Sequence, residues 1–396
     1  MMNQNLPNTY QYIIAGGGMA GLSLAFYLNK SLLKNESILI IDRDVKQAND
    51  HTWCFWEQGN SPFEEIIGRK WKGLWFYGHQ DFASFLNIEE YSYKMLRGED
   101  FYQYLIPELK KNPNITFLQA DIEHIESTVD DAIVMTNQGV FKAKTFVFDS
   151  ISVSKFNQAK YHNMLQHFKG WVIETSQPSF NPEQPTLFDF RIEQQNECRF
   201  VYVLPHSEKK ALIEFTIFSD NLLDEASYND ALKKYIKEVL KIEDYQITEV
   251  ESGVIPMSDE PQVISPSPKV IRIGTAGGYV KASTGYSFQR TQRFLQQLVQ
   301  DLEEVKSKNT TLTFKGNFST STWKALLDSV LLNVMLHKRM PADEIFTKLF
   351  QNNRPADVLK FLDEDTSVLK DISIMHSVPT FPFIIGLKGV LLSKLY

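Results

Sequence analysis

Cysteine is scarce in this chain of 396 residues, where only Cys54 and Cys198 occur. Because two cysteines cannot form a disulfide framework, we expect a fold suited to a reducing compartment. A run of about 18 apolar residues, the length that spans a bilayer, is also missing. The formal net charge of −7 argues against nucleic acid as a general partner. These absences predict an intracellular protein that at most lies on a membrane surface.

Metal-ligand spacings and internal repeats are missing as well. His51 has no partner at the spacing of a structural zinc site, so no metal is predicted. What the chain does have is 43% hydrophobic and 22% charged residues, a globular composition. Its length suffices for two domains and a further helical segment.

A glycine-rich motif follows the first apolar stretch, where QYIIA leads into Gly16-x-Gly18-x-x-Gly21. In this motif Gly16 makes the tight turn, Gly18 lets the backbone approach a pyrophosphate, and Gly21 lets helix and strand pack closely. The following helix, which includes Ala20 in its first turn, points its N–H groups at that pyrophosphate. A second apolar strand ends in Asp42, the acid expected to bind a ribose. The pattern predicts a dinucleotide site, with a glycine-rich turn that binds nothing as the alternative.

A second passage from strand through glycines to helix occurs late in the chain, with a strand at 269–273 and a helix from about Ser287. Its glycines are Gly274, Gly277 and Gly278. Two such passages imply a discontinuous nucleotide-binding domain with an antiparallel sheet inserted between them. We expect a long, extended cofactor, which favours FAD over NAD. Arg43, next to the ribose-binding acid, could reach this cofactor.

The predicted fold class is α/β: a Rossmann-like FAD-binding domain, an inserted antiparallel-sheet substrate domain and a helical C-terminal segment. We assign the FAD-binding domain to 1–50, 96–160 and 265–310, the substrate domain to 51–95 and 161–264, and the helical segment to 311–396. The end of that segment, PTFPFIIGLKGVLLSKLY, is strongly apolar, with Lys388 and Lys394 set into it. It suits a helix lying in a membrane interface, and a terminal helix packed on the core is the alternative.

Several sequence blocks occur together in a fixed order. They are GGGMAGLSLA, DHTWCFW at 50–56, FKGWVIET at 168–175, FDFR at 188–191, FVYVLPHSEKKALIEFT at 200–216, ESGVIPM at 251–257 and IGTAGGYVKASTGYSF at 273–288. In these blocks the chain resembles the lycopene β-cyclase family, flavin-dependent carotenoid cyclases, in its bacterial branch. The resemblance covers residues 11 to about 300 and implies a glutathione-reductase-like FAD domain with a carotenoid-binding sheet domain.

The resemblance also implies a reaction, a cofactor state and partners. The reaction closes β-ionone rings on the ψ-ends of lycopene, giving γ-carotene and then β-carotene without net redox change. The cofactor is FAD in its reduced form, with NAD(P)H as reductant. The partners are lycopene and related linear carotenes, together with the inner face of the cell membrane. Contact with other carotenoid enzymes is left open.

Two family features transfer to this sequence by position. The acid of the family's LxExT block falls on Glu214, and its nucleotide-binding glycines fall on Gly16, Gly18 and Gly21. Many related flavoproteins have a Gly-Asp pair at the second passage, where this chain has Gly274-Thr275. The contact to the ribityl chain therefore cannot be assigned by that rule.

Glu214 is a candidate acid from its strand pattern alone. The alternation in ALIEFTIF places it between Leu212 and Phe218 on a largely apolar face, where burial would raise its pKa. Such a carboxyl group can act as a general acid. We expect it to protonate the terminal C1=C2 bond of a linear carotene, so that C5=C6 attacks C1 and the C6 proton is lost. A half-exposed strand glutamate is the alternative.

Other side chains keep two interpretations each. The tryptophan-rich stretch at 51–77 either stabilises a carbocation or fills the core. Asp189 and Arg191 either position Glu214 or the flavin, or form a solvated strand face. The second candidate function is an FAD-dependent monooxygenase or reductase acting on an isoprenoid, and a carrier without catalysis is a third.

Overall fold

The computed structural model describes residues 6–153, 156–157, 160–308 and 321–393. Its strands are β1 Thr9–Ala15, β2 Ile38–Asp42, β3 Thr52–Gln58, β4 Arg69–Trp71, β5 Gly73–Tyr77, β6 Ala83–Asn87, β7 Tyr91–Arg97, β8 Ile115–Gln119, β9 Ile122–Ser127, β10 Ala132–Thr136, β11 Gly139–Asp149, β12 Asn163–Thr175, β13 Thr186–Asp189, β14 Cys198–Pro205, β15 Lys210–Ser219, β16 Tyr245–Ser258 and β17 Val270–Arg272. Its α-helices are α1 Met19–Asn29, α2 Gly98–Lys110, α3 Glu225–Glu238, α4 Phe288–Lys308, α5 Thr322–Leu336, α6 Ala342–Asn352, α7 Pro355–Leu362, α8 Val368–Met375 and α9 Thr380–Ser393.

The first sheet has the order β8-β2-β1-β11-β10-β9, with β17 on the far side of β11. Strands β8, β2, β1, β11 and β17 run parallel, and β9 to β11 form an antiparallel meander. The sequence pattern predicted that the segment of β8 belongs to this meander, which is wrong. Its alternating apolar residues pair instead with β2, in parallel register from Ile38 opposite Ile115.

Strands β1 and β2 are buried on both faces, as expected for central parallel strands. Helices α1 and α4 pack against each other beside this sheet. The buried apolar side of α4 includes Phe294, Leu298 and Leu302. This arrangement is the α/β class predicted from the sequence.

The second large sheet has the order β16-β12-β15-β14-β13-β5-β6 and is antiparallel except where β13 meets β5. One face packs on α3, with Ile213, Phe215 and Ile217 of β15 against Leu232, Tyr235 and Ile236. The other face, with Leu212 and Phe218 of the same strand, belongs to the core that includes α5, α6 and α7. A smaller sheet of β3, β7 and β4 completes the strands.

The C-terminal helices α5 to α9 follow the second nucleotide passage. Helix α9 packs on α5 through its glycines: a Cβ added at Gly386 would lie 2.9 Å from Val334, and one at Gly389 would lie 2.9 Å from the Asn333 amide. The predicted helical character of this part of the chain is confirmed for 322–393. Lys394 lies outside the described residues, and the predicted domain bounds stay a prediction.

Candidate active site

The glycine turn between β1 and α1 leaves room beside the helix N-terminus. Gly16 has a φ of +104°, a conformation that side chains rarely adopt. A Cβ added at Gly21 would overlap the carbonyl oxygen of Gly16, so α1 and the turn can only approach this closely without one. At Gly18 an added Cβ would meet nothing within 4 Å, and no side chain caps the helix there. The start of α1 thus has no capping side chain and has free space beside Gly18, which suits a phosphate group.

Asp42 lies at the mouth of this turn, at the end of β2. The Gly17 N–H donates to its Oδ2 at 2.6 Å, and the Asp44 N–H donates to its Oδ1 at 2.8 Å. The neighbouring Arg43 is exposed. The acid is thus held at the edge of the glycine turn, where a ribose hydroxyl pair would compete for its oxygens.

The second glycine passage reaches the first. Gly274 has a φ of +59°, and a Cβ added to it would lie 2.7 Å from Cβ of Ala20 in the first turn of α1. A Cβ on Gly277 would lie 2.5 Å from the Arg272 carbonyl oxygen, and Gly278 has a φ of +79°. The structure therefore brings together the two passages that sequence analysis connected, about 250 residues apart in the chain.

Glu214 lies on the core face of β15, opposite the face that packs on α3. It lines a cavity of about 90 Å³ between the second sheet, β3, β7 and the loop that leads into α4. The lining residues are Thr52, Trp53, Cys54, Tyr93, Gln166, Phe168, Tyr202, Leu204, Leu212, Glu214, Ile255, Thr284, Gly285, Tyr286, Ser287 and Phe288. Glu214 thus borders a cavity whose walls come from the second sheet, from the small sheet and from the loop that leads into the helix of the second nucleotide passage.

A second carboxyl group lies beside Glu214. In the sheet register Gly170 of β12 faces Glu214 on β15 to one side and Glu251 on β16 to the other. Because Gly170 has no side chain, the two carboxyl groups can approach each other across it. Thr52 Oγ1 donates to Glu251 Oε2 at 2.7 Å, and Thr216 Oγ1 donates to Glu214 Oε1 at 3.0 Å.

The pKa of Glu214 is raised well above the ordinary value of a glutamate. Burial is the largest cause, because a low-dielectric site disfavours the anion, and the nearby Glu251 carboxylate adds to it. Burial also raises the pKa of Glu251, while the hydrogen bond from Thr52 opposes this shift. Both shifts favour the protonated form of the two carboxyl groups.

Sequence analysis did not identify Glu251, although it begins the ESGVIPM block. Its strand is mostly exposed, so the alternation alone gives no reason to bury this acid. The available signal was Gly170, which interrupts the apolar strand FKGWVIET. A glycine inside a strand often marks a close approach, here of two acids from the flanking strands.

Tyrosine, rather than tryptophan, dominates the aromatic wall. Tyr93, Tyr202 and Tyr286 line the cavity, and the hydroxyl oxygens of Tyr202 and Tyr286 lie 3.4 Å apart. Burial raises the pKa of all three phenols, so they stay neutral. Of the four tryptophans between 51 and 77, Trp53 lines the cavity and Trp56 packs edge-on against Tyr286 at 4.5 Å.

The other two of these tryptophans pack elsewhere. The Trp71 indole donates to the Pro182 carbonyl oxygen at 2.7 Å, and the Trp75 ring stacks on Tyr77. For Trp71 and Trp75 the core-filling interpretation therefore fits better than a contact with the reacting centre.

Asp189 and Arg191 lie on the α3 side of the second sheet, away from Glu214. Asp189 is fully buried, pairs with Arg191 and accepts from the Tyr235 hydroxyl at 2.7 Å. The Arg191 guanidinium stacks 3.6 Å from the centre of the Tyr77 ring. The solvated-face interpretation is therefore wrong for Asp189, whereas Arg191 is exposed, and the pair connects α3 to the sheet through Tyr235.

Three of the cavity-lining residues carry a buried polar atom with no hydrogen-bond partner among the described residues. These atoms are the Tyr93 hydroxyl oxygen, Gln166 Oε1 and Thr284 Oγ1, and the last two lie near Gly285 with its φ of +75°. Buried polar groups are normally paired, so these atoms suit the polar edge of a ligand. Within 6–153, 160–308 and 321–393, no cluster of three or more metal-binding side chains is found.

Comparison with known proteins agrees with this architecture. Two curated lycopene beta-cyclases match at low identity: that of Pseudescherichia vulneris is 23% identical over 287 residues, or 69% of each chain, and that of a Paracoccus strain is 22% identical over 292 residues, or 70% of each. Among solved structures, a geranylgeranyl bacteriochlorophyll reductase-like protein from Thermoplasma acidophilum superposes with a TM-score of 0.60 at 14% identity, covering 98% of this chain and 99% of its own.

A further solved structure, the halogenase PltM with FAD bound, has a TM-score of 0.59 at 13% identity and covers 98% of this chain and 91% of its own. At such identities these structures establish the fold. The family model described as lycopene cyclase protein matches residues 12–386, nearly the whole chain. The chain therefore belongs to the lycopene cyclase family.

Proposed function

We propose that this chain is a lycopene β-cyclase that closes β-ionone rings on the ψ-ends of lycopene by acid catalysis without net redox change. The observation that carries the proposal is Glu214, a buried carboxyl group in an aromatic cavity, whose pKa burial raises well above its ordinary value. An acid of this kind is what protonation of an alkene requires. Membership of the lycopene cyclase family supports the carotene as substrate.

The residues of the two glycine passages fit FAD. The open space at Gly18, the uncapped start of α1 and Asp42 at the turn suit the diphosphate and ribose. Gln166 and Thr284 would meet the polar edge of the isoalloxazine ring. When bound in its reduced, anionic form, with NAD(P)H as the source of electrons, FAD would supply negative potential near the cation.

The chain's own residues perform the proton transfers in this proposal. The Glu214 carboxylic acid gives its proton to C2 of the terminal C1=C2 bond, which leaves a cation at C1. The C5=C6 electron pair forms the C1–C6 bond, and loss of the C6 proton restores C5=C6 in the ring. Phe168, Leu204 and Leu212 help exclude water, which would trap the cation as an alcohol.

The tyrosine rings around the cavity favour the cation in a second way. A cation over an aromatic face gains about 1–2 kcal/mol in a dry site. The neutral phenols of Tyr93, Tyr202 and Tyr286 provide such faces without adding charge.

The C-terminal helices support docking on a membrane, where a C40 hydrocarbon would reside. The side of α9 away from α5 exposes Phe381, Ile384 and Leu391, and the neighbouring α8 exposes Leu369. Lys388 is the single charged residue of α9. Among the described residues no helix has both the length and the apolar character to cross a bilayer. We propose that α8 and α9 lie in the interface at the inner face of the cell membrane.

One observation favours the second candidate function, an FAD-dependent reductase or monooxygenase acting on an isoprenoid. A solved structure described as geranylgeranyl reductase-like shares the whole fold. That chemistry does not require a protonated glutamate in the cavity.

Product analysis separates the two functions. We expect expression in a lycopene-accumulating host to convert lycopene to γ-carotene and β-carotene of unchanged mass. Purified protein with lycopene in liposomes, FAD and NAD(P)H should give the same products. A product two or more hydrogens heavier, or one that carries oxygen, would instead establish the redox function.

A further inference from the structure

Glu214 and Glu251 form a pair of acids with one shared environment. They come from β15 and β16, which are not neighbours in the sheet, since β12 lies between them. A side chain at the intervening position would separate the two carboxyl groups. The intervening residue is Gly170, and a Cβ there would lie 2.9 Å from Leu212 Cδ1 and 3.1 Å from Glu251 Cγ.

The hydrogen bonds of this pair require one proton. Glu251 is buried, with 8% of its surface exposed, and Thr52 donates to its Oε2. Its other oxygen, Oε1, finds no donor among the described residues as long as both acids are ionised. A proton on Glu214 would supply that donor, whereas two bare carboxylates would leave a buried acceptor unpaired beside a like charge.

We propose that Glu214 and Glu251 share one proton across the gap left by Gly170, and that Glu251 is a positioning residue which holds that proton on Glu214. This inference rests on the proposed function, because it names the group that keeps the proposed acid, Glu214, protonated. Glu251 itself is absent from the residues that line the cavity, so it acts through Glu214. The anchor on its far side is Thr52, at the start of β3.

The proton balance of the ring closure fits such a pair. Glu214 loses its proton to C2 of the carotene, and the pair then carries two negative charges. The later loss of the C6 proton gives one proton back to the pair at Glu214, the carboxylate that lines the cavity. The pair therefore ends each turnover with the proton it began with, and neither an external acid nor a base is consumed.

Few other titratable groups face the pair. Cys54, Tyr93, Tyr202 and Tyr286 surround Glu214, and burial raises the pKa of each, so all four are neutral near pH 7. His51 and Glu249 act on the pKa of Glu251 with opposite signs, His51 lowering it and Glu249 raising it. Among charged groups, Glu251 has the largest effect on Glu214, so removing its carboxylate should change the titration of Glu214.

The experiment compares Glu251→Gln with wild type and with the control Glu174→Gln. Glu174 lies on β12 like Gly170, but it is exposed. With the negative charge of residue 251 removed, the pKa of Glu214 falls, since its anion is no longer repelled. We expect the alkaline limb of the pH–rate profile to move by at least one pH unit to lower pH, while Glu174→Gln leaves it in place.

Gly170→Ala tests the same pair by changing the space between the two carboxyl groups. Its methyl group would press on Glu251 and Leu212, so we expect the same direction of shift without any change of charge. Flavin content and thermal unfolding identify a variant that fails to fold. A variant that lowers the rate equally at every pH, with the alkaline limb unmoved, would overturn the proposal and leave Glu251 a structural role.

A measurement that does not depend on catalysis tests the proton-sharing pair separately from the proposed cyclase function. Infrared titration should show one protonated carboxyl band that persists above neutral pH in wild type and disappears in Glu214→Gln. In Glu251→Gln this band should vanish at lower pH than in wild type. If wild type shows the band but does not cyclise lycopene, the proposed function fails and the proton-sharing pair stands. If the band is missing in an active enzyme, the pair is refuted.

Discussion

The nucleotide-binding sheet and the seven-stranded antiparallel sheet carry function in different ways. In the first, the proposed cofactor site is made of backbone, and Gly16 and Gly274 form its turns with positive φ angles that side chains rarely adopt. In the second, the side chains of Glu214 and Glu251 meet from strands that are far apart in sequence, and Thr52 of the small sheet donates to Glu251. A local motif is visible in a sequence, whereas a contact across three strands is created only by the register.

The largest effect is expected in the antiparallel sheet, where the proposed chemistry depends on the side chain of Glu214. We expect Glu214→Gln to lower the rate of cyclisation by about 10²–10⁴-fold, because the glutamine has no proton of suitable acidity to give. Flavin binding should be retained, since the substitution lies in the other sheet. Lycopene conversion and flavin absorbance in the same preparation measure both. Cyclisation near the wild-type rate would contradict the assignment of the acid.

The matching test in the nucleotide-binding sheet is Gly21→Ala. Its methyl group would overlap the Gly16 carbonyl oxygen, so we expect loss of bound flavin by at least tenfold and a lower Tm. The control is Gly68→Ala, where the nearest atom to an added Cβ is the Met95 carbonyl oxygen at an ordinary 3.6 Å. Flavin titration of both variants measures their affinities for FAD. Equal affinities of the two variants would show that the glycine turn tolerates a side chain.

A third prediction concerns the pH dependence of stability. The folded protein holds the proton of Glu214 at a pH where the unfolded chain has lost it, so its contribution is complete below the unfolded pKa and is lost as pH rises toward the folded one. The free energy of unfolding of wild type should therefore fall relative to Glu214→Gln by up to about 1.4 kcal/mol per pH unit above pH 5. Urea unfolding of both proteins between pH 5 and 8 measures this difference, and parallel curves would contradict a raised pKa.

The smallest effect is expected at the surface. Phe381→Glu places a charge on the exposed side of α9, so we expect at least tenfold weaker binding to liposomes with the rate on detergent-solubilised lycopene unchanged. Val129→Glu, at an exposed apolar position of a loop between β9 and β10, is the matched control. Vesicle flotation of the two variants measures binding, and equal flotation would assign α9 a role in packing alone.

Much of the fold could be predicted from local patterns. The alternation of ALIEFTIF gave the two faces of β15 correctly, with Leu212 and Phe218 toward one core and Ile213 and Phe215 toward the other. The same reasoning failed for Asp189, because an acid paired with Arg191 and Tyr235 can be buried where a pattern suggests a solvated face. Whether such an acid is buried depends on partners that are far away in the sequence, as Tyr235 is from Asp189.

The sequence alone determined the glycine turn, the two nucleotide passages and the candidate acid, since each depends on residues a few positions apart. Only the tertiary structure decided which groups surround that acid: the tyrosine wall, the anchor from Thr52 and the second carboxyl group at Glu251. The physical reason is that the pKa of a buried carboxyl group depends on the charges and dipoles within a few ångströms of it. Those neighbours are set by strand register, which no local pattern specifies.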